Sequence, residues 1–188
     1  MNRFIDAMNI RGGERIIDLG GSAQFWDAVP VPLDITVLNL PEALDREVPN
    51  SHHRITLLEG DACDVTFADR SFDIAFSNSV IEHVGGKDRQ RALAGEARRL
   101  APRYWVQTPS IWFPVEAHTH MPFWWFYPPA MKAFFIRRWD EKLPAWCEMI
   151  KGTTVIPRSD MQEMFPDARI WTERLMGCAK SYVAYRAT

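Results

Sequence analysis

The chain has 188 residues, of which 47% are apolar and 24% charged, and a formal charge of −2. That is globular composition, enough for a full core and too near neutral to draw nucleic acid by bulk electrostatics. Cys63, Cys147 and Cys178 stand far apart with no C-x-x-C pair, which argues against a disulfide framework or a zinc site and suits a reducing compartment.

"MNRFIDAMNIRGG" has no apolar signal-peptide core and no run approaches the ~18 residues of a membrane span, so a cytoplasmic protein is expected. "RIIDLG" (15–20) reads as a buried strand, followed by a short helix from Ala23 to Val29 that Pro30 and Pro32 stop. "DITVLNL" (34–40) is a second strand, and "PEALDREV" (41–48) opens a helix with Pro41 in its first turn. "RITLLEGDA" (54–62) is a third strand, and "FDIAFSNSVIEHV" (72–84) holds a fourth that leaves into a polar loop. "KDRQRALAGEARRL" (87–100) puts Leu93, Ala97 and Leu100 on one helical face with arginines opposite. "YWVQTPS" (104–110) is a fifth strand. "SDMQEMF" (159–165) offers a capping box, Ser159 with Gln162, and "ARIWTERL" and "SYVAYR" form a terminal hairpin across "MGCAK".

Strands that alternate with helices and are nearly continuous in apolar residues predict an α/β, Rossmann-like, doubly wound fold. Its sheet is mostly parallel, with an antiparallel C-terminal strand from the hairpin. Residues 1–188 form one domain with an aromatic-rich insert at about 110–150. In such sheets ligands lie beyond the carboxyl ends of the strands, where strand order reverses, so the residues after each strand are the place to look.

After the first strand come Asp18, Gly20, Gly21 and Ser22. Glycines let a ligand approach the backbone, and Asp18 can accept from an ammonium group or from loop amides; a plain strand-to-helix turn uses the same residues. The dinucleotide fingerprint fails, because Gly20 and Ser22 are followed by Phe25 at its third position, and a nicotinamide-dependent oxidoreductase is disfavoured. The second strand ends at Asn39, where nucleotide-binding sheets place an acid against ribose hydroxyls. After the third strand, Asp61 can accept from an adenine amino group while the Ala62 N–H faces the ring; Asp61 alone reads equally as a turn residue. The fourth strand releases Ser77, Asn78 and Ser79 into the crevice, with Glu82 and His83 on the next turn.

The runs "IIDLGGSAQFW", "VLNLPEAL", "LLEGDACDVTFADRSFDIAFSNSVIEHV" and "LAPRYWVQTPS" resemble the class I S-adenosylmethionine-dependent methyltransferases, in particular the type 11 group that includes quinone-biosynthesis enzymes. The resemblance implies a seven-stranded sheet and S-adenosyl-L-methionine as cofactor. It implies that Asp18, Gly20 and Gly21 hold the methionine end, Asn39 the ribose, and Asp61 and Ala62 the adenine, with Asn78 beside them. Two positions depart from the pattern: the glycine loop keeps only Gly20 in register, and the ribose acid is Asn39. A non-catalytic binding or regulatory protein on the same fold is the alternative. The helix that usually precedes the sheet is nearly absent, since 14 residues precede the first strand.

Of 8 Trp, 11 Phe and 4 Tyr, ten fall between Trp112 and Trp139. Pro109, Pro114, Pro122, Pro128 and Pro129 break that stretch, after which "AMKAFFIRRW" predicts a helix with Phe134 and Phe135 on one side and Arg137 and Arg138 toward solvent. The insert reads as a covering layer, as an acceptor pocket or lid, or as a patch for peripheral membrane contact with a lipid-linked substrate. Glu116, His118 and His120 alternate, which puts all three on one side of an extended segment. E-x-H-x-H without a further ligand does not make a metal site, and none is assigned. The expected activity is O-methylation of a small molecule, with His118 or His120 as general base and Trp26 or Trp112 as a face for the cationic donor.

Overall fold

A computed structural model of the protein describes residues 1–45 and 51–188. Helix α1 (Asn2–Met8) precedes strand β1 (Arg15–Leu19), a 3-10 turn (Ala23–Ala28), and strands β2 (Asp34–Asn39), β3 (Arg54–Glu59) and β4 (Ile74–Asn78). Helix α2 (Lys87–Leu100) leads to β5 (Arg103–Pro109). A second 3-10 turn (Trp124–Phe126) and helices α3 (Pro129–Asp140), α4 (Pro144–Gly152) and α5 (Arg158–Met164) then precede β6 (Arg169–Leu175) and β7 (Cys178–Arg186).

The seven strands form one sheet in the order β3-β2-β1-β4-β5-β7-β6. The first five run parallel, β7 is antiparallel to β5, and β6 is antiparallel to β7. This is the α/β, mostly parallel architecture expected. The order reverses between β1 and β4, so a crevice opens at their carboxyl ends.

Alternation along the strands sorts the core into two faces. Ile17, Leu19, Ala75, Tyr104 and Val106 pack under Leu93, Ala97 and Leu100 of α2 and Met161 and Phe165 at α5. Ile16, Ile35, Ile74, Phe76 and Trp105 pack on the other face against Phe4 and Met8 of α1 and against Trp26. Phe4 alone meets Trp26, Phe76 and Trp105 edge to face, at ring separations of 5.9, 5.0 and 5.6 Å. A helix of seven residues is therefore held by aromatic packing rather than by its own propensity.

Four local expectations need correction. Pro41, Glu42 and Ala43 make a turn instead of opening a helix, and residues 46–48 of that segment lie outside the described residues. The capping box does not form: α5 starts at Arg158 behind Pro157, which leaves Ser159 inside the first turn donating to Asp160 Oδ1. Residues 116–120 are a tight turn, not an extended run, closed by the His120 N–H on the Glu116 carbonyl at 3.0 Å. Helix α3 is present but buries none of its residues. The terminal hairpin closes through Met176 and Gly177, both at positive φ, 51° and 83°, the two-residue turn whose twist matches paired strands.

Candidate active site at the carboxyl edge of the sheet

Each parallel strand delivers its last residues to one edge. Asp18, near the end of β1, is fully buried and accepts a hydrogen bond from Trp26 Nε1 at 2.8 Å. Its other oxygen, Oδ1, has no partner among the described residues. Burial outweighs the Trp26 bond and pushes the Asp18 carboxyl up to about 7. The chain then turns through Gly20 at φ +84°, a conformation that favours glycine. A β-carbon at Gly20 would come within 2.5 Å of Val80 Cγ1, and one at Gly21 within 2.0 Å of Asp18 Oδ2. The glycine pair is thus required by the protein's own packing, whatever else approaches it.

Asn39 stands beside this turn. Its Nδ2 donates to the Gly21 carbonyl at 3.1 Å, and its Oδ1 accepts the Leu40 N–H at 2.9 Å. Asp61, one strand further out, is gripped by Arg89 Nη2 at 2.8 and 2.7 Å and accepts the Cys63 N–H at 2.9 Å. Burial raises the Asp61 carboxyl, but the Cys63 and Arg89 donors outweigh it and hold the group below its usual range. Ala62 is buried next to it. No sequence motif marks Arg89, which comes from α2.

On the other side of the reversal point a cavity of about 550 Å³ opens over the ends of β4, β5 and β7. Phe25, Phe76, Asn78, Trp105, Gln107 and His120 contribute to its wall. Its size falls in the range of small-molecule sites. Phe25, 37% exposed on the turn after Gly21, lies 5.5 Å from Phe76 and joins the glycine turn to the cavity. The expected aromatic faces are elsewhere: Trp26 is sealed in the core and Trp112 is 64% exposed, and neither lines the cavity. His118 does not line it either. His118 Nδ1 donates to Glu116 Oε1 at 2.8 Å, and Nε2 lies 2.9 Å from His83 Nε2.

The described residues thus bring Asp18, Gly20, Gly21, Asn39, Asp61, Ala62 and Asn78 to a single edge, with His120 across the cavity and His118 behind it. Residues 20–105 match the methyltransferase domain family. No curated protein matches the chain. A methyltransferase from Methanosarcina mazei, described as S-adenosylmethionine-dependent, superposes with a TM-score of 0.54 at 12% identity, over 94% of this chain and 92% of that one. The family match spans β2 to the start of β5, and the fold of the whole sheet is the one these methyltransferase structures have. The Synechocystis magnesium protoporphyrin IX methyltransferase, solved with bound S-adenosylhomocysteine, shares the fold at TM-score 0.58 and 12% identity, over 98% of this chain and 79% of that one. The Haemonchus contortus phosphoethanolamine N-methyltransferase 2, in complex with S-adenosylmethionine, gives 0.61 and 14%. That comparison covers 93% of this chain and 38% of the Haemonchus chain.

A nucleoside sulfonium fits the hydrogen-bond acceptors at this edge. Asn39 Oδ1 accepts one bond and Asp61 Oδ2 accepts one, and each oxygen retains a lone pair. One can take a ribose hydroxyl and the other an adenine amino group without breaking the bonds already present.

Proposed function

We propose that this chain is an S-adenosyl-L-methionine-dependent methyltransferase that methylates a hydroxyl group of a small molecule. The observation that carries the reading is the contiguity of the glycine turn at Gly20 and Gly21 with the 550 Å³ cavity, across the Phe25–Phe76 contact. Residues at the tips of β1 to β3 would hold the cofactor, and Asn78 stands in the cavity wall next to them. When bound, the cofactor supplies an electrophilic methyl group on a sulfonium.

The chain's own part is binding, alignment and exclusion of water. Asp18 supports the turn through Trp26, Asn39 and Asp61 would accept from the nucleoside, and the backbone at Gly20, Gly21 and Ala62 would lie against it. Phe25, Phe76 and Trp105 give the acceptor cavity an apolar wall. Among the described residues no hydrogen bond engages the His120 ring, and this residue lines the cavity, so His120 is the base that would take the hydroxyl proton. His118 holds Glu116 through Nδ1 and does not line the cavity, which gives it a supporting place.

Calorimetric titration with S-adenosylmethionine and S-adenosylhomocysteine tests the reading. Saturable 1:1 binding of both is expected, and binding of neither would end it. Binding with no transfer to any hydroxyl acceptor would favour the non-catalytic alternative.

A second reading, peripheral membrane contact, is favoured by the surface of the insert. Trp112, Phe123, Phe126 and Phe134 are each more than half exposed.

A further inference from the structure

We infer that Glu82, His83 and His118 form a binding site for one divalent transition-metal ion of the zinc class. One ligand atom from each of Glu82, His83 and His118 lies within 4.8 Å of the other two. The two Nε2 nitrogens are 2.9 Å apart, and Glu82 Oε1 is 3.9 Å from His83 Nε2. A tetrahedral zinc ion with bonds of about 2.0–2.1 Å sets its ligand atoms about 3.3–3.4 Å apart, so the His83–His118 and Glu82–His83 separations each need to change by only about half an ångström.

Each ligand is already held from behind. Thr108 Oγ1 donates to Glu82 Oε2 at 3.0 Å, which turns Oε1 toward the histidines. Glu116 Oε1 accepts from His118 Nδ1 at 2.8 Å, and Thr153 Oγ1 lies 3.2 Å from His83 Nδ1. Carboxylate and hydroxyl partners on the far nitrogen are the arrangement that orients metal-bound imidazoles.

Proton bookkeeping points the same way. Glu116 takes the Nδ1 proton of His118, which leaves neutral His118 with a bare Nε2. Thr153 spends its single hydroxyl proton on the Met149 carbonyl at 2.8 Å, so it accepts from His83 Nδ1 and leaves His83 Nε2 bare as well. Two lone pairs then face each other, next to a carboxylate oxygen that is buried and has no partner among the described residues. A shared proton would satisfy the nitrogens but not Glu82 Oε1. A cation satisfies all three. His83 and His118 are only half-buried, so an ion can reach them.

The site also answers the ligand shortage of the E-x-H-x-H segment. The missing donors come from the turn after β4, and His120 leaves the cluster for the cavity. Bound metal would clamp that turn to the segment after β5. The inference stands apart from the methyl-transfer reading, because none of its three ligands lines the main cavity.

The test is zinc titration of the full chain, stripped with a chelator and assayed against a chromophoric competitor. One ion per chain is expected, with affinity at least 100-fold lower in His83→Gln and His118→Gln and about 10–100-fold lower in the milder Thr153→Val. Cobalt(II) should give tetrahedral visible bands that His118→Gln abolishes. His52→Gln, in the other close histidine pair, should bind as wild type. Circular dichroism confirms that each variant folds, and Thr153→Val keeps the test decisive should a histidine variant unfold. No uptake by the wild type, or equal affinity in the folded variants, would leave a proton-bridged histidine pair and overturn the proposal.

Discussion

Trp26 Nε1 and Asp18 Oδ2, 2.8 Å apart, make a hydrogen bond with no access to solvent. It joins the end of β1 to the 3-10 turn that follows and gives the buried carboxyl a donor. Trp26→Phe keeps an aromatic ring against Phe4 and Phe76 but removes that donor. A buried polar group left unpaired costs about 1–3 kcal/mol, and the smaller ring loses packing besides. Urea unfolding should show a loss of about 2–4 kcal/mol; a loss below 1 kcal/mol would mean that the bond contributes little.

The same carboxyl makes stability depend on pH in a defined direction. Its folded value is about 7, against about 3.9 unfolded. Between these values the native state holds a proton that the unfolded state has released, so stability falls as pH rises from about 4 to 7 and levels off above. Asp18→Asn retains an acceptor for Trp26 and has no charge to bury. It should match wild type near pH 4 and exceed it by up to about 4 kcal/mol at pH 8. Parallel stability curves for the two proteins across that range would refute the assignment.

Gly20 carries two separable constraints, its φ of +84° and its contact with Val80. Gly20→Ala should destabilise by about 1–3 kcal/mol, through the left-handed backbone and the crowded β-carbon together. Val80→Ala in the same chain relieves only the crowding. Thermal unfolding of the double variant should therefore recover part of the loss, beyond what additivity of the two changes allows. No recovery would show that the backbone angle alone requires glycine.

The sheet was legible because its strands are apolar runs bounded by turn residues, and the placing of Asp18, Asn39, Asp61 and Asn78 on one edge followed from where those runs stop. Features made by distant contacts were not. Nothing local tells that Arg89 reaches Asp61 across 28 residues, or that Glu116 folds residues 116–120 into a turn by accepting the His118 and Thr119 N–H groups at 2.9 and 2.6 Å. Alternation assumed an extended backbone there, and the carboxylate overrode it. The short α1 escaped for a related reason, since its stability lies in Phe4 against three rings rather than in its own seven residues.

Asp61 and Arg89 separate a binding role from a structural one. Their ion pair is partly exposed, with side-chain exposures of 35% and 48%, so breaking it should cost less than about 1 kcal/mol of stability. Asp61→Asn should weaken S-adenosylhomocysteine binding about tenfold by calorimetry, because the adenine amino group loses an ionised acceptor. Arg89→Gln leaves that acceptor in place and should preserve the affinity. Equal losses in the two variants would make the pair, rather than the carboxylate, the feature that matters.

The insert presents its aromatic groups to solvent, which a covering layer does not need. Met131 and Phe134 lie three residues apart and so share one side of α3, 45% and 53% exposed, and the exposed Arg137 and Arg138 follow on the next turn. Trp112 and Phe126, 5.8 Å apart, add a second exposed aromatic pair on the same insert. Lys132 is tethered on the same insert, its Nζ donating to the Trp125 carbonyl at 3.1 Å. An apolar surface beside two arginines suits the interface of an anionic bilayer. The protein should float with vesicles containing phosphatidylserine and stay behind with neutral ones at moderate salt. Met131→Ser with Phe134→Ser should abolish flotation while leaving S-adenosylhomocysteine binding intact, because both positions are distant in sequence from the glycine turn and neither lines the cavity. Flotation unchanged in that double variant would assign the exposed rings to another partner.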